Sequence, residues 1–400
     1  VAMARNAAVP FQIAIVAAAG VYKIESDAIS YVFLPALDSA VVDVAWVDGY
    51  FVFGLANGQF FVSGLNETTV DALDFAIAEG LPDGLVAVKV FRREVYLFGT
   101  QTTEVWTNTG DADFPFARLP GAVLPVGCTA RDCVAVLDDA IMWVDDAGLV
   151  RKLTAGYVPS RVSTQAVERA IEGVDRSALE AVTWTERGHV FYALSSPAWT
   201  WVYDTGADEW HERRSPFSDR WQVNAMAAAW NGNYAGSSRT GRLYRVTTDV
   251  FREDRDTLTT VIRFPPLDNF PGGATVDELA INVETGVGSW SSPLTMDDTV
   301  TASFDSAEFT ADQSLVDLLD TTAGGLNEPL ISLRWSDDGS KSWSNAITAP
   351  LGRRGEYSTV VTFNRLGAMF DKGRTFEASI SSPVFRALVS ARVQVEPLDR

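Results

Sequence analysis

The sequence predicts an all-β protein: a β-propeller of six or seven blades followed by a smaller C-terminal β domain. Three observations predict it. First, a strand–turn–strand pattern recurs, with turns near Asn6, Asp48-Gly49, Arg92-Arg93, Asp138-Asp139, Arg187-Gly188 and Asn231-Gly232, at separations of 42 to 49 residues. A repeat of roughly 40–50 residues holding three or four short strands marks a propeller blade. Second, the runs after the turns (Tyr50-Phe-Val-Phe, Val95-Tyr-Leu-Phe, Ile141-Met-Trp-Val) are β-branched and aromatic and lack the 3.6-residue period of helices. Third, the chain carries 12 Trp, 10 Tyr and 22 Phe with 30 Gly, the usage of an aromatic, turn-rich β protein.

The elements follow in order. Ile13–Val16 and Val21–Ile24 read as two strands around Gly20, with Ile13, Ile15 and Val21 packing inward. An export signal is the rival reading of this apolar start, but Pro10 and Gln12 interrupt the run. Val1–Asn6 looks like a point already inside the propeller, so the first blade is expected to be incomplete. Val44–Ser63 is three strands, and Asp48-Gly49 between them calls for a type I′ turn with φ > 0 at both central positions. Asp71–Ala76 reads as one helical turn, and Leu85–Thr107 as the next blade. Thr109–Gly127, with Pro115, Pro120 and Pro125, reads as a long connection anchored by Phe114, Phe116 and Leu119. After the blade Val134–Leu153 comes one inserted helix near 163–173. Ser163 suits its N-cap, Val167 and Ile171 share a face, and Gly173 stops it. Leu179–Arg213 and Met226–Val246 complete the propeller domain, residues 1–263. The Pro- and Gly-rich run after Arg263 reads as a linker. Residues 264–400 form the second domain, with strands expected over Val276–Val283, Ile331–Trp335, Ser358–Phe363, Thr375–Ile380 and Val389–Val395.

The net charge of −20 argues against broad nucleic-acid affinity, which needs Lys and Arg surfaces. Cys128 and Cys133 lack the second ligand pair that a zinc site wants, so they read as two buried thiols of a protein made in a reducing cytoplasm. No metal or cofactor is expected, and no stretch reaches the roughly 18–20 apolar residues of a membrane span. Between Phe264 and Leu333 the chain holds twelve acids and no basic residue. Eight of them lie in Gly288–Glu328, where Asp312–Asp320 can form a short helix with Leu315, Leu318 and Leu319 apolar. Those leucines are the candidate interface, expected to dock on a neighbouring chain.

Catalytic signals are sparse. The two histidines, His189 and His211, sit in strand patterns where a hydrogen-bonded structural role is the default, and no nucleophile elbow or phosphate loop is present. The sharpest local pattern is Ser336–Trp343, which is similar to the Asp box of sialidases and other propellers, Ser-x-Asp-x-Gly-x-x-Trp. Ser336, Asp338 and Trp343 match, and Ser340 stands where the pattern has glycine. Its aspartate is expected to accept turn N–H groups, which makes it a structural staple. No catalytic residue is assigned.

Longer words carry a broader resemblance: Trp46–Val52, Gly58–Leu65, Ala72–Gly80, Leu97–Trp106, Phe114–Ala122, Thr200–Asp204 and Trp210–Arg213. They continue in order with Val283–Gly288, Leu333–Gly339, Gly355–Tyr357 and Phe376–Val384. On these words the chain resembles the packaged-DNA stabilisation, or tail hub, proteins of short-tailed bacteriophages. Two departures stand out: relatives usually begin some tens of residues earlier, and Gly288–Glu328 makes that region about thirty residues longer than the family norm.

The resemblance implies a virion protein made in the host cytoplasm. It would form a homo-oligomeric ring, a hexamer, below the portal adaptor protein. The ring closes the tail, helps retain DNA, and contacts a tailspike or tail fibre and a needle or plug. Double-stranded DNA passes its lumen without sequence-specific binding. No enzyme activity is implied. The alternatives are a glycan-cleaving, sialidase-like propeller, which needs an arginine triad facing acids at the propeller centre, and a receptor-binding propeller.

Overall fold

The computed structural model describes residues 1–18, 20–34, 39–78, 83–248, 250–268, 272–283, 329–352, 360–370, 373–384 and 387–398. They divide into two compact units, Val1–Val246 and Thr247–Arg400.

In the first unit six antiparallel sheets follow one another, each a meander whose sequence neighbours are sheet neighbours. The first holds β1 (Ala2–Arg5), β2 (Gln12–Ala17), β3 (Gly20–Glu25) and β4 (Ala28–Val32). The second holds β5 (Val41–Val47), β6 (Tyr50–Leu55), β7 (Gln59–Ser63) and β8 (Val70–Ile77). Next come β9 (Leu85–Phe91), β10 (Glu94–Gly99), β11 (Thr103–Asn108) and β12 (Phe116–Leu124). The fourth has β13 (Ala135–Val136), β14 (Ile141–Val144), β15 (Val150–Leu153) and β16 (Ser160–Arg161). The fifth has β17 (Glu180–Glu186), β18 (His189–Ser195), β19 (Thr200–Asp204) and β20 (Glu209–Glu212). The sixth has three strands, β21 (Val223–Ala229), β22 (Gly232–Ser237) and β23 (Leu243–Val246). The first strand of each sheet lies beside the first strand of the next, from β1 and β5 through to β17 and β21.

The turn chemistry follows the sequence. Asp48 and Gly49 have φ of +49° and +97°, Arg92 and Arg93 +52° and +65°, Arg187 and Gly188 +50° and +82°. Each pair joins strands in two-residue register, as Val47 faces Tyr50 and Phe91 faces Glu94. These tips also tie neighbouring sheets: Arg93 Nε donates to Asp48 Oδ1 at 2.9 Å, and Asn233 Nδ2 to the Thr185 carbonyl at 2.8 Å. Between sheets lies an aromatic interior in which Trp143, Tyr192, Tyr203 and Phe98 are fully buried. Phe98 meets Trp143 edge-on at 5.2 Å between ring centres.

Several expectations are corrected. Asp71–Ala76 is not a helical turn but lies in β8, where Phe75 pairs with Phe61 across the sheet; cross-strand pairing overrides a short local preference. The connection from Thr109 to Gly127 contains β12. Pro120 is tolerated there because the pairing with β11 shifts register around it, with Gly121 at φ +78°. The sixth hairpin turns at Trp230 and Asn231 (φ +44° and +57°), one residue before the expected pair. Residues 6–11 are a longer connection rather than a tight turn, and the first sheet has its full four strands. In β2 the buried residues are Gln12, Ala14 and Val16, while Ile13 and Ile15 face the other way and are half-buried; Val21 is buried as expected. The inserted helix, α1 (Gln165–Glu172), buries Val167 and Ile171 and ends at Gly173, but its N-cap is Thr164. Ser163 instead donates its hydroxyl to Glu168 Oε1 at 2.7 Å.

The second unit begins earlier than the expected boundary at Arg263. After the small hairpin of β24 (Arg252–Glu253) and β25 (Asp256–Thr257), β26 (Thr260–Arg263) pairs with β31 (Thr375–Ile380) of the C-terminal sheet. The Pro-rich run therefore connects strands within one unit. That sheet continues through β28 (Leu330–Ser336) to β29 (Ile347–Pro350). A second sheet places β27 (Ala274–Val283) between β30 (Val360–Met369) and β32 (Leu388–Pro397). Ile281, Val276 and Phe363 of one sheet pack with Ile331, Leu333 and Phe376 of the other in a single core. The acidic insertion 288–328, with Leu315, Leu318 and Leu319, lies outside the described residues.

Candidate functional site

The Asp-box-like pattern sits on the hairpin between β28 and β29. Asp338 Oδ1 accepts the backbone N–H groups of Lys341 and Ser342, both at 2.9 Å, and Oδ2 accepts the Ser342 hydroxyl at 2.6 Å. The Ser336 hydroxyl donates to Asp338 Oδ1 at 2.8 Å and accepts the Ser340 N–H at 2.9 Å. These donors, the Ser342 hydroxyl foremost, hold the Asp338 carboxyl well below the usual carboxylate range. Ser340 has φ +71°, the left-handed conformation that explains why the pattern prefers glycine there.

Trp343 does something the sequence did not announce. The guanidinium of Arg334 lies 4.7 Å from its ring centre and that of Arg263 5.2 Å. Both arginines converge on buried Glu377: Arg263 Nη2 donates to Oε2 and Arg334 Nε to Oε1, each at 2.7 Å. Burial pushes the Glu377 carboxyl up, but the two guanidinium groups outweigh it and hold it below its ordinary value. Beside them, Arg374 is almost wholly buried and grips Asp337 through two bonds of 2.6 and 2.8 Å. Its remaining N–H groups reach the Leu366 and Ala368 carbonyls at 2.6 and 2.8 Å. Strand pairing places these groups: β31 lies between β26 and β28, so Glu377 faces Arg263 on one side and Arg334 on the other. Sequence reasoning missed this network. The signal was a charge inside each strand pattern, Arg334 beside Leu333 and Glu377 beside Phe376.

In the first unit, charged groups meet where the first strands of sheets two and three approach the crossover into sheet four. Buried Asp43 accepts the Lys89 ammonium at 2.7 Å and the Val88 N–H at 3.0 Å. Arg131 binds Asp132 through two bonds of 2.7 and 2.8 Å and donates to the Val42 carbonyl at 3.1 Å. Burial raises the Asp132 carboxyl, yet Arg131 brings it below its usual value overall. This is one arginine and one lysine, each matched to a carboxylate, and not the arginine triad of a sialidase. His189, exposed at the start of β18, contacts Asp204 at 2.8 Å; burial holds His211 of β20 below its ordinary value. Cys128 and Cys133 are buried free thiols. Among the described residues no group of three or more His, Cys, Asp or Glu is placed to hold a metal ion, and no helix is long and apolar enough to cross a membrane.

Comparison with known proteins adds a family. A family model described as "Bacteriophage P22 Gp10, beta-propeller" matches residues 1–250, the whole six-sheet unit. No curated protein matches in sequence. Similar solved structures include the computationally designed Ika8 protein, 15% identical over 60% of this chain and 69% of that one, TM-score 0.38. PorZ, a surface component of the type-IX secretion system of Porphyromonas gingivalis, is 14% identical over 62% of this chain and 33% of its own, TM-score 0.38. The extracellular domain of the putative one-component system BT4673 from B. thetaiotaomicron is 11% identical over 67% and 33%, TM-score 0.42. The chain spans about a third of the length of the last two, and likeness at this level carries no argument about function.

Proposed function

The chain belongs to the family described as Bacteriophage P22 Gp10, beta-propeller, and from that premise we propose that it is a tail hub subunit of a short-tailed phage. Six copies form a ring below the portal adaptor, close the tail, help retain packaged DNA, and mount tailspikes or fibres around a central needle or plug. The observation that carries this reading is the family match across the six-sheet unit. An architectural role is supported by where the polar groups go. The Asp338 carboxylate is occupied by its own turn, Arg263 and Arg334 by Glu377, and Arg374 by Asp337.

The six sheets are the blades of a propeller, and their end faces support closure. One face of the first sheet presents the row Met3, Ile15, Tyr22 and Tyr31, half-buried or exposed. The sixth sheet presents Ala227, Tyr234 and Arg245 in a row, again uncovered or half-covered. Central strands of the interior sheets, β6 and β10, bury both faces, so an end sheet with an open face needs a cover. Closure, directly or through one more blade, supplies it.

The test is native mass spectrometry of the chain with its portal adaptor, followed by cryo-EM of whole tails. Six copies in a closed ring on the adaptor are expected, because heterologous contacts that do not close run on into filaments. A monomer on assembled tails, or an open fibre, would overturn the reading.

A further inference from the structure

The crossover from the third to the fourth sheet, between Leu124 and Ala135, is anchored on three sheets at once. The Cys128 N–H donates to the Gly99 carbonyl at 2.9 Å, and the Thr129 N–H to the Val144 carbonyl at 3.1 Å. The Trp143 indole donates to the Gly127 carbonyl at 3.0 Å, and the Tyr192 hydroxyl to the Cys133 carbonyl at 2.8 Å. Inside this crossover the sulfurs of Cys128 and Cys133 stand 3.9 Å apart, in van der Waals contact. Both lie within bonding distance of one acceptor, the Ala130 carbonyl, at 3.2 and 3.0 Å. A lone buried cysteine is a small apolar filler, but two in contact over a shared acceptor are placed to pair with each other.

We propose that Cys128 and Cys133 are the site of an intrachain disulfide, formed when the protein leaves a reducing compartment and meets a small peroxide. The inference concerns these two thiols and stands whether or not the chain forms a ring. One sulfur attacks the O–O bond of hydrogen peroxide, becoming a sulfenic acid and releasing one water. The second sulfur then attacks the first; the S–S bond forms, the S–O bond breaks, and a second water leaves. Two thiols and one peroxide thus give one disulfide and two waters. The sulfurs must close from 3.9 Å to about 2.05 Å. Burial limits the oxidant: Cys133 is 0% and Cys128 2% exposed, which keeps a glutathione-sized disulfide away from both sulfurs. Proximity selects the product, because the neighbouring thiol consumes the sulfenic acid before a second oxygen adds.

The experiment treats the reduced full chain with hydrogen peroxide, denatures it in iodoacetamide, and maps the cysteine peptides by mass. Loss of two hydrogens (about 2 Da) across Cys128 and Cys133, with neither alkylated, is expected, and dithiothreitol restores two alkylation sites. The cross-linked chain should melt roughly 3–6 °C higher. C128S should lose the cross-link and accumulate oxygen on Cys133. Two alkylated cysteines after peroxide, or oxygen added to both sulfurs of the wild type without a cross-link, would overturn the proposal.

Discussion

The two units solve the same problem by different means. Both are stacks of antiparallel sheets that must fix strand register and satisfy polar groups. The first unit does so chiefly through hairpin tips with left-handed backbone at Asp48-Gly49, Arg92-Arg93 and Arg187-Gly188 and aromatic side chains between sheets, with ion pairs such as Asp43–Lys89 linking neighbouring sheets. The second unit does so at long range, through guanidinium–carboxylate pairs whose members stand up to 114 residues apart, as Arg263 and Glu377 do. The difference teaches where each unit is vulnerable. Truncating a buried apolar side chain costs in proportion to the volume it filled. Breaking a buried ion pair on one side strands the other charge and costs more than the pair contributed.

The largest expected effect is W143A, in the first unit. Trp143 is fully buried and its indole caps the Gly127 carbonyl, so its removal should cost about 3–5 kcal/mol, read as the urea midpoint of the six-sheet unit. R374A is the matching break in the second unit. It leaves the Leu366 and Ala368 carbonyls without their donors beside a half-exposed Asp337, and should cost about 2–4 kcal/mol. Hydrogen exchange of the full chain should show the loss in β30 and β31 with the first unit unchanged. R374K should recover little, since an ammonium cannot reproduce the two-pronged grip. If R374A barely shifts exchange, the contrast between the units collapses.

Acid should separate the two units as well. Glu377 has its folded pKa held below the ordinary 4.5, so its stabilising contribution is complete above pH 4.5. It is lost as pH falls from there through the depressed value. Protection of β31 amides, taken relative to their intrinsic exchange rates, should therefore fall on going from pH 5 to pH 3, and E377Q should flatten that dependence. An equal fall in β14 would erase the distinction.

I15E sharpens the picture of the first sheet's open face. If closure covers that face, the new carboxylate should cost roughly 2–3 kcal/mol; thermal melting within a degree of wild type would mean the face stays in water. The smallest effect belongs to D338A. Its side chain serves a turn at the surface, and melting should fall by about 2–4 °C with no change in assembly. Loss of a glycan-cleaving activity in D338A would instead assign the turn to catalysis.

What could be read from the sequence was whatever depends on near neighbours. Asp48-Gly49 announced its turn because only certain residues adopt left-handed backbone without strain. Val167, Ile171 and Gly173 announced the helix, and Ser336, Asp338 and the strained Ser340 announced a self-satisfied hairpin. The spacing of the turns announced a succession of small sheets. Tertiary structure alone decided the rest. Asp71–Ala76 became a strand because β7 offered it an edge, and Pro120 could sit in β12 because a register shift opened room for it. Glu377 gained its two arginines only when β31 was laid between β26 and β28. Pairing across more than a hundred residues leaves no local trace, because the partner that makes a buried charge tolerable is chosen by the sheet and not by the chain around it.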